Sequence, residues 1–454
     1  MVETAGSRDL IVVGAGTAGA AAARRCASEG WSVAIVDELP YGGTCALRGC
    51  DPKKILRRGA EIIDSARLMT GKGIDPAGLS INWADLMQQK RGFTDPAPGN
   101  LESDLASVGV ETLHGRAEFT DTNDMDIDGT AYRADRFLIA TGARPRPLDF
   151  DGAELLTDST GFLNLDELPR LVVFVGGGFI SFEFAHIAAR AGADTTIIEH
   201  GDRPLESFDP DLVDLLVARS EQVGITVRSR TSVLAVETTS GGGYAVTVET
   251  DGRTETIVAD LVVHGAGRIA ELSHLGLDAA GVEHDDSGVA VHPHLQSTTN
   301  PSVFAAGDSA STPGPPLTPV AVSEAKVAAA NMIRGTTTAP DHSAVPTTVF
   351  TVPELARVGM LESEARAHDI DLEVHYNDTS GWYSNYRIGE TTAAAKVLVD
   401  KRTDLIVGAH LLGPGYSELI NTFALAMKTG LTTKQLRSAT AIYPSIGSDL
   451  ASML

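Results

Sequence analysis

The 454-residue sequence predicts an α/β protein with two Rossmann-like dinucleotide-binding domains and a smaller C-terminal α+β domain. Two glycine-rich turns, starting at Gly14 and Gly176, each stand between an apolar strand and a helix, and a second apolar strand follows each helix. After about residue 345 the pattern changes to mixed strands and helices. Since a single hydrophobic core rarely grows beyond ~250–300 residues, a chain of this length is expected to hold several domains.

The first glycine turn follows the strand Leu10–Val13 and precedes an Ala-rich helix and a second strand. The first glycine of such a turn allows a tight bend, the second lets the backbone approach a pyrophosphate, and the third allows close helix packing. A carboxylate about twenty residues later suits a ribose hydroxyl. The predicted nucleotide-binding residues of this turn are Gly14, Gly16, Gly19 and Asp37.

The second glycine turn repeats this arrangement after the strand Leu171–Val175. Gly176 and Gly178 take the roles of the first two glycines, and Glu199 supplies the carboxylate at the end of the next strand. Ser181 stands where the third glycine is expected. Two nucleotide-binding units in one chain indicate two dinucleotides.

Two further strands are predicted to end at the nucleotide sites. Phe137–Arg144 reads as a strand that enters a turn containing Thr141 and Gly142, and Ser302–Asp308 reads as a strand that ends in Gly-Asp. Nucleotides bind at the carboxyl edge of open α/β sheets, so Asp308 is expected to lie there. The predicted cofactor-binding residues also include Gly267.

Two of the three cysteines, Cys45 and Cys50, are separated by four residues. This spacing is about one helical turn, and a slightly distorted turn can close a disulfide. Thr44 is expected to cap the helix start, whose dipole would stabilise a thiolate and lower its pKa. Cys26, in the helix after the first glycine turn, is expected to be inert packing.

Nearly the whole chain resembles the pyridine nucleotide-disulfide reductase family, which includes glutathione reductase, dihydrolipoamide dehydrogenase and mercuric reductase. The resemblance rests on motifs in the same order along the chain. These are the first glycine turn, Gly42–Cys50, the Ala-Thr-Gly turn at 140–142, the second glycine turn with Glu183, Gly307–Asp308, Leu317–Val320, Val345–Phe350 and Pro353–Gly359.

The resemblance implies FAD in the first glycine unit, with Gly43 and Thr44 beside it and Asp37 on the adenosine ribose. Asp308 would contact the ribityl chain, and NAD(P)H would bind the second unit. Cys50 would be the flavin-proximal thiol and Cys45 the thiol that attacks an outside disulfide. A structural or incidental cysteine pair is the alternative.

Lys54 and Glu183 match the ion pair that this family places beside the flavin, and simple surface charges are the alternative. The resemblance also implies a homodimer, with each C-terminal domain covering the partner's redox pair. The expected segments are an FAD-binding domain at 1–147 and 271–342, an NAD(P)-binding domain at 148–270 and a dimerisation domain at 343–454.

The choice of nicotinamide nucleotide depends on residues 198–206. Glu199 suits the ribose hydroxyls of NADH and repels the 2′-phosphate of NADPH. The corresponding segment of glutathione reductases, which this chain resembles, has arginines at the positions of His200 and Glu206. Because Arg203 and a protonated His200 can still receive a phosphate, NADH is favoured and NADPH stays open.

The C-terminal segment departs from the family, which commonly has a His-Glu acid-base pair there. Tyr443 stands in place of the His and Ser448 in place of the Glu. A tyrosine, with an ordinary pKa near 10, is a much weaker proton shuttle at neutral pH. Mercuric reductase also has a Tyr at this position, but its C-terminal cysteine pair is missing here, which disfavours mercury reduction.

Three function classes follow. The first is an NAD(P)H-dependent reductase of a small disulfide, in which Tyr443 joins the catalytic residues. The second is a flavin reductase of quinones, oxygen or metal ions, with a lyase or carboxylase as a further enzymatic variant. The third is a non-catalytic flavin redox sensor or a subunit of a larger complex.

Composition excludes several partners. The net charge of -24 disfavours nucleic acid and anionic membranes, and no apolar run is long enough to span a bilayer. The N-terminus lacks the basic leader and apolar stretch of an export signal, so a cytoplasmic location is expected. No metal site is predicted.

Overall fold

The computed structural model describes residues 4–454, whose contacts group into two units. The first unit contains the residues up to Pro52, Gln89–Arg146 and Gly267–His342. The second contains Lys53–Gln88, Pro147–Ala266 and Ser343–Leu454. This division by contacts has two units, whereas the sequence predicts four segments that form three domains. The two divisions describe different things, and the predicted domain boundaries stay a prediction.

Residues 4–146 form seven strands and four helices. The strands are β1 (Thr4–Val13), β2 (Val33–Asp37), β3 (Glu111–His114), β4 (Ala117–Asp121), β5 (Asp124–Ile127), β6 (Thr130–Ile139) and β7 (Ala143–Pro145). The helices are α1 (Thr17–Ser28), α2 (Cys50–Leu68), α3 (Trp83–Thr94) and α4 (Ala97–Ser107), and a π-helical turn spans Thr44–Arg48.

The middle of the chain, between residues 147 and 266, forms seven strands and three helices. The strands are β8 (Leu171–Val175), β9 (Asp194–Ile198), β10 (Ile225–Arg228), β11 (Thr231–Thr238), β12 (Tyr244–Thr250), β13 (Arg253–Ala259) and β14 (Leu261–His264). The helices are α5 (Ser159–Phe162), α6 (Phe179–Arg190) and α7 (Pro210–Gln222).

The rest of the chain forms ten strands and six helices. The strands are β15 (Arg268–Ala270), β16 (His284–Asp285), β17 (Gly288–Ala290), β18 (Val303–Ala305), β19 (Ala310–Ser311), β20 (Thr347–Val349), β21 (Glu354–Gly359), β22 (Leu372–Asp378), β23 (Ala394–Asp400) and β24 (Leu405–Gly413). The helices are α8 (Thr318–Arg334), α9 (Glu362–Ala367), α10 (Tyr383–Tyr386), α11 (Tyr416–Thr429), α12 (Thr433–Arg437) and α13 (Leu450–Met453).

The main sheet of the first unit has the strand order β3-β2-β1-β6-β5-β4, and β18 also pairs with β6. Strands β1, β2, β3, β6 and β18 are parallel to one another. Leu10, Ile11 and Val12 of β1 are fully buried, as expected for a parallel strand covered on both faces. The parallel register brings the carboxyl ends of β1 and β6 together beside the first glycine turn.

The second unit contains a parallel sheet of order β10-β9-β8-β14 and, separately, an antiparallel sheet of β11, β12 and β13. Its C-terminal part is a five-stranded antiparallel sheet of order β20-β21-β24-β23-β22. The predicted pairing of residues 394–399 with 405–412 is confirmed as the antiparallel β23–β24 pair. Both strand-turn-helix-strand units and the C-terminal change of pattern are thus confirmed. In the described part of the chain, no helix is long and apolar enough to cross a membrane.

Candidate nucleotide and redox sites

The first glycine turn lies against the end of β6 so closely that side chains are excluded. Gly14 has a φ of 103°, and a Cβ there would lie 2.3 Å from the Ala140 carbonyl oxygen. A Cβ on Gly19 would lie 1.9 Å from the Gly14 carbonyl oxygen. The tight bend and the close helix packing expected of these two glycines are therefore steric requirements of this backbone.

The N-terminus of α1 is open behind this turn. Gly16 precedes the 12-residue helix and provides no side-chain cap, so the first backbone N–H groups of α1 remain available as donors. Gly43 has a φ of 64°, and a Cβ there would lie 2.6 Å from the Gly16 Cα atom. An uncapped helix N-terminus lined by glycines suits a pyrophosphate, and these residues fit the diphosphate of FAD.

Asp37, at the end of β2, uses both carboxylate oxygens to hold neighbouring backbone. Its Oδ2 accepts a hydrogen bond from the Ala15 N–H at 2.7 Å, and its Oδ1 accepts one from the Leu39 N–H at 2.9 Å. The residue is partly exposed, and a carboxylate oxygen can accept more than one hydrogen bond. Asp37 therefore fixes the glycine turn and still fits a ribose hydroxyl.

The second glycine turn has the same construction in the second unit. Gly176 has a φ of 97°, and Gly178 precedes α6 without a side-chain cap. Glu199 Oε2 accepts a hydrogen bond from the Gly177 N–H at 2.6 Å, which repeats the Asp37–Ala15 contact of the first turn. Its Oε1 accepts one from the Gly201 N–H at 2.6 Å. Glu199 thus holds the turns on both sides of a nucleotide site.

The missing third glycine of the second turn is compensated by a glycine elsewhere. Ser181 is fully buried, and a Cβ on Gly265, just after β14, would lie 2.0 Å from its Oγ atom. The close approach that a helix glycine normally allows is supplied here from the strand side. Sequence reasoning missed Gly265, because its proximity to Ser181 depends on the pairing of β14 with β8.

The residues predicted to distinguish NADH from NADPH lie at Glu199 and in the loop that follows it. The His200 side chain is 85% exposed, and its Nδ1 lies 3.0 Å from Glu199 Oε1. Arg203 is half-buried, and its Nη2 donates a 3.4 Å hydrogen bond to the Glu206 carbonyl oxygen. Within the described residues its buried Nε has no hydrogen-bond partner. This part of the chain thus holds the Glu199 carboxylate and one unsatisfied guanidinium nitrogen.

The turn after β6 is tied to the strand β15 in the first unit. Thr141 Oγ1 donates to the Glu271 carbonyl oxygen at 2.5 Å, and Gly142 has a φ of 75°. Gly267 has a φ of 102°, and its carbonyl oxygen accepts from the Arg146 N–H at 3.1 Å. These predicted residues thus lie beside the antiparallel pair formed by β7 and β15.

Asp308 lies in a short 3₁₀ turn after β18, at the carboxyl edge of the main sheet. Burial raises the pKa of Asp308, and nearby Arg268 partly opposes this shift. Glu324 on α8 holds the same turn, because its Oε2 accepts the Gly307 N–H at 2.8 Å. Its Oε1 accepts from Thr312 Oγ1 at 2.7 Å and lies 2.8 Å from His342 Nε2.

Sequence reasoning missed Glu324 and His342. The sequence signal for Glu324 was a glutamate within a helix that is otherwise rich in Ala and Val. In the structure, Glu324 is only 1% exposed. A fully buried carboxylate needs several donors, and the turn before Asp308 supplies one of them.

The two cysteines that are predicted to form the redox pair lie in consecutive elements of the first unit. Cys45 belongs to the π-helical turn, and Cys50 is the first residue of α2. Both are thiols, and a hydrogen bond joins their side chains. Cys50 Sγ also lies 3.8 Å from Thr318 Oγ1. The distorted turn expected from the Cys-x4-Cys spacing is therefore present.

Two details of this prediction are wrong. Thr44 caps no helix, because the π-helical turn begins at Thr44 itself and Gly43 provides no side-chain cap. The pKa of Cys45 is raised instead of lowered, first by its hydrogen bond with Cys50 and then by burial. The physical reason is that the N-terminus of α2 lies at Cys50, five residues further along the chain. Cys26 is fully buried, and burial raises the pKa of its thiol to about 12, as suits inert packing.

The predicted pairing of Lys54 with Glu183 is also wrong. Glu183 is 2% exposed, and its Oε2 lies 2.8 Å from the Nζ of Lys53. Lys54 instead lies over the Phe350 ring, with its Nζ 3.9 Å from the ring centroid. Successive helical residues point about 100° apart, so only one of two adjacent lysines on α2 can face α6.

The C-terminal pair lies at an exposed segment. Tyr443 is 77% exposed and Ile442 is 83% exposed. Ser448 Oγ donates to the Ser445 carbonyl oxygen at 2.6 Å, so it serves its own 3₁₀ turn. A serine in this bond provides no carboxylate to orient a neighbouring acid or base. Across residues 4–454, no group of three or more His, Cys, Asp or Glu side chains is arranged to hold a metal ion.

Comparisons with known proteins agree with this geometry. The dihydrolipoyl dehydrogenase of Geobacillus stearothermophilus is 32% identical over 444 residues, which cover 97% of this chain and 94% of that protein. The glutathione reductase of Nostoc sp. strain PCC 7120 is 31% identical over 459 residues, covering 98% and 99%.

Solved structures give the same result. The HOCl-induced flavoprotein disulfide reductase RclA from Escherichia coli superimposes with a TM-score of 0.87 at 26% identity, covering 98% of each chain. A copper(II) complex of RclA gives a TM-score of 0.88 at 25% identity and covers 99% of each chain.

Family comparison covers most of the chain. Residues 8–325 match the pyridine nucleotide-disulphide oxidoreductase family, and residues 345–453 match the dimerisation domain of that family, which indicates a homodimer. Together with the two nucleotide turns and the adjacent thiols, these matches make the protein a flavoprotein oxidoreductase. The chain belongs to the pyridine nucleotide-disulphide oxidoreductase family.

Proposed function

We propose that this protein is an NAD(P)H-dependent reductase of a low-molecular-weight disulfide. The observation that carries the proposal is the contact between the Cys45 and Cys50 thiols at the start of α2, in a chain that belongs to a disulfide oxidoreductase family. FAD, when bound, supplies a two-electron carrier between the nicotinamide and the two sulfur atoms. Asp37, Asp308 and the first glycine turn would hold it.

The proposed cycle uses the two thiols in sequence. Two electrons and two protons, from NAD(P)H and solvent, convert the Cys45–Cys50 disulfide into two thiols. Cys45, as a thiolate, attacks the substrate disulfide, so a mixed disulfide forms and one substrate thiolate leaves with a proton from solvent. Cys50 then attacks the Cys45 sulfur of the mixed disulfide, which releases the second substrate thiol and restores the protein disulfide.

The Lys53–Glu183 ion pair would act on the nicotinamide side of the reaction. The pair is buried, so its charges are screened little by water and can orient a polar group strongly. Lys54 and Phe350 lie beside it. This assignment transfers to Lys53 the role expected for Lys54 from the resemblance.

NADH is the proposed electron donor in preference to NADPH. Glu199 and Glu206 both approach Gly201, since a Cβ there would lie 3.1 and 3.2 Å from their carboxylate oxygens. Two carboxylates at this point repel a 2′-phosphate. Arg203, through its unsatisfied Nε, and the exposed His200, when protonated, are the features of this loop that favour NADPH.

Tyr443 is proposed to replace the usual histidine, reaching the redox pair of the partner subunit in the homodimer. Its phenol donates one hydrogen bond but transfers protons slowly at neutral pH. We therefore expect protonation of the leaving substrate thiolate to limit turnover, and turnover to slow as the pH rises.

The test is an anaerobic titration with NADH, followed by counting free thiols. The wild-type enzyme should gain two thiols and a long-wavelength absorbance, and Cys50→Ser should show neither. Cys26→Ser is the matched control, because it removes a buried thiol without touching the redox pair. Gain of thiols in Cys50→Ser, or no gain in the wild type, would refute the proposal.

Reduction of a metal ion such as copper(II) is a second candidate. One observation favours it: the structurally similar RclA has been solved as a copper(II) complex. Reduction of a one-electron metal acceptor releases no thiol that needs a proton. The presence of Tyr443 in place of the usual histidine would therefore not slow this activity. Copper(II) turnover that survives in Cys45→Ala, while disulfide turnover is lost, would favour this second function.

A further inference from the structure

Phe350 contacts the charged groups of two helices at once. It follows β20, and its backbone N–H donates to Glu183 Oε1 at 2.7 Å. Its ring lies under two ammonium groups, with centroid distances of 4.7 Å to Lys53 Nζ and 3.9 Å to Lys54 Nζ. One residue thus holds both members of the Lys53–Glu183 pair, the carboxylate through its main chain and the ammonium through its ring.

The position of Phe350 is itself fixed by a buried arginine. Arg57 Nε donates to the Phe350 carbonyl oxygen at 2.8 Å, and Arg57 Nη2 donates to the Thr351 carbonyl oxygen at 2.8 Å. Arg57 is 4% exposed and forms an ion pair of 3.1 Å with Glu354. With its backbone held on both sides, the ring has little freedom to leave the lysines.

The ring also offsets a local excess of positive charge. Lys53, Lys54 and Arg57 lie within five residues on α2, and all three contact the Phe350 ring. Burial and the charge of Arg57 lower the pKa of Lys54. The negative face of an aromatic ring attracts cations where an aliphatic side chain does not.

We propose that Phe350 is a positioning residue for hydride transfer, because its ring face holds the Lys53 ammonium group in place against Glu183. This inference rests on the proposed function, in which the ion pair acts at the nicotinamide. Position 350 therefore needs an aromatic ring, and an apolar side chain of similar volume is not sufficient.

The experiment compares Phe350→Leu with Phe350→Tyr in the FAD-loaded protein. Leu keeps apolar volume without a ring face, and Tyr keeps the face. Flavin reduction by NADH is followed by anaerobic stopped-flow absorbance across NADH concentrations. We expect Phe350→Leu to lower the limiting rate about 2- to 30-fold at unchanged NADH affinity, the range of one lost cation–π contact. Phe350→Tyr should stay within about twofold of the wild type.

Phe93→Leu is the control, because it removes a half-exposed phenyl group from α3. Its limiting rate should equal that of the wild type. Thermal unfolding of every variant shows whether the fold is kept, and Phe350→Met replaces Phe350→Leu should the latter not fold. A wild-type limiting rate in the aliphatic variant, or a Tyr variant as slow as the Leu variant, overturns the inference alone. Failure of the wild-type protein to accept electrons from NADH or NADPH overturns the proposed function and this inference with it.

Discussion

Replacing Asp64 by Asn should destabilise the second unit strongly, because this carboxylate neutralises two buried guanidinium groups. Asp64 lies on α2 and is 3% exposed. Arg190 Nη2 donates to its Oδ1 at 2.7 Å, and Arg219 Nη2 donates to both carboxylate oxygens at 3.0 Å. The cluster joins α2 to α6 and α7.

The expected magnitude follows from the burial of the partners. Arg190 is 2% exposed and Arg219 is 8% exposed, and an arginine cannot relieve its charge by losing a proton. Burial and the two arginines lower the pKa of the adjacent His186 well below its ordinary value, so this imidazole is neutral and adds no positive charge to the cluster. Removing one partner of a buried ion pair costs about 3–5 kcal/mol. The asparagine retains one acceptor oxygen, so we expect the lower half of that range.

The assay is urea or thermal unfolding of the FAD-loaded protein, compared with Asp371→Asn. Asp371 is the matched control, because its 3.1 Å ion pair with Lys401 is exposed on both sides and is worth ~0–1 kcal/mol. The Asp64 variant should unfold at a temperature lower by the order of 10 °C. Equal midpoints for the two variants would refute the reasoning, since the guanidinium groups would then be compensated by other means.

Three further predictions concern the proposed sites. Lys53→Met should slow flavin reduction by NADH at least tenfold because it leaves a buried carboxylate unpaired, whereas Lys54→Met should stay within about threefold, both measured by stopped-flow absorbance. Glu324→Gln should weaken FAD binding about tenfold or more in a fluorescence titration, because a charge-assisted hydrogen bond to the Gly307–Asp308 turn is lost. Cys50→Ala should shift the alkylation profile of Cys45 to lower pH, because the hydrogen bond that raises its pKa most is removed.

Each of these predictions has a contradicting result. Equal rates for the two lysine variants would remove the distinction between Lys53 and Lys54. Unchanged FAD affinity in Glu324→Gln would show that the Gly307–Asp308 turn is held without that carboxylate. His342→Gln is the comparison variant, because its amide can still donate a hydrogen bond to Glu324. An unshifted alkylation profile would mean that burial, and not Cys50, controls the Cys45 thiol.

The predictions that held are those carried by local backbone chemistry. Gly14 and Gly176 were predicted from the strand-turn-helix pattern, and both have positive φ values against a neighbouring backbone. Asp37 and Glu199 were predicted to meet ribose hydroxyls, which stays a prediction, and in the structure each holds the turn that contains the first glycine. A turn of this kind is specified by residues close in sequence, so the sequence is sufficient to recognise it.

The predictions that failed depended on which way a side chain points and on where a helix begins. The phase of α2 decides which of Lys53 and Lys54 meets Glu183, and no feature of the lysines themselves reveals that phase. The same holds for Thr44, because the start of α2 at Cys50 depends on the π-helical turn before it.

The sequence by itself determined the fold class, the two nucleotide turns and the cysteine pair, because each rests on patterns of residues that are close together in the chain. Only the tertiary structure decided the partners of the buried charges. Glu183 finds Lys53 and Phe350, and Glu324 finds Gly307 and His342, across chain separations that leave no pattern in the sequence. The physical reason is that a carboxylate without water needs donors within about 3 Å, and only packing brings them there.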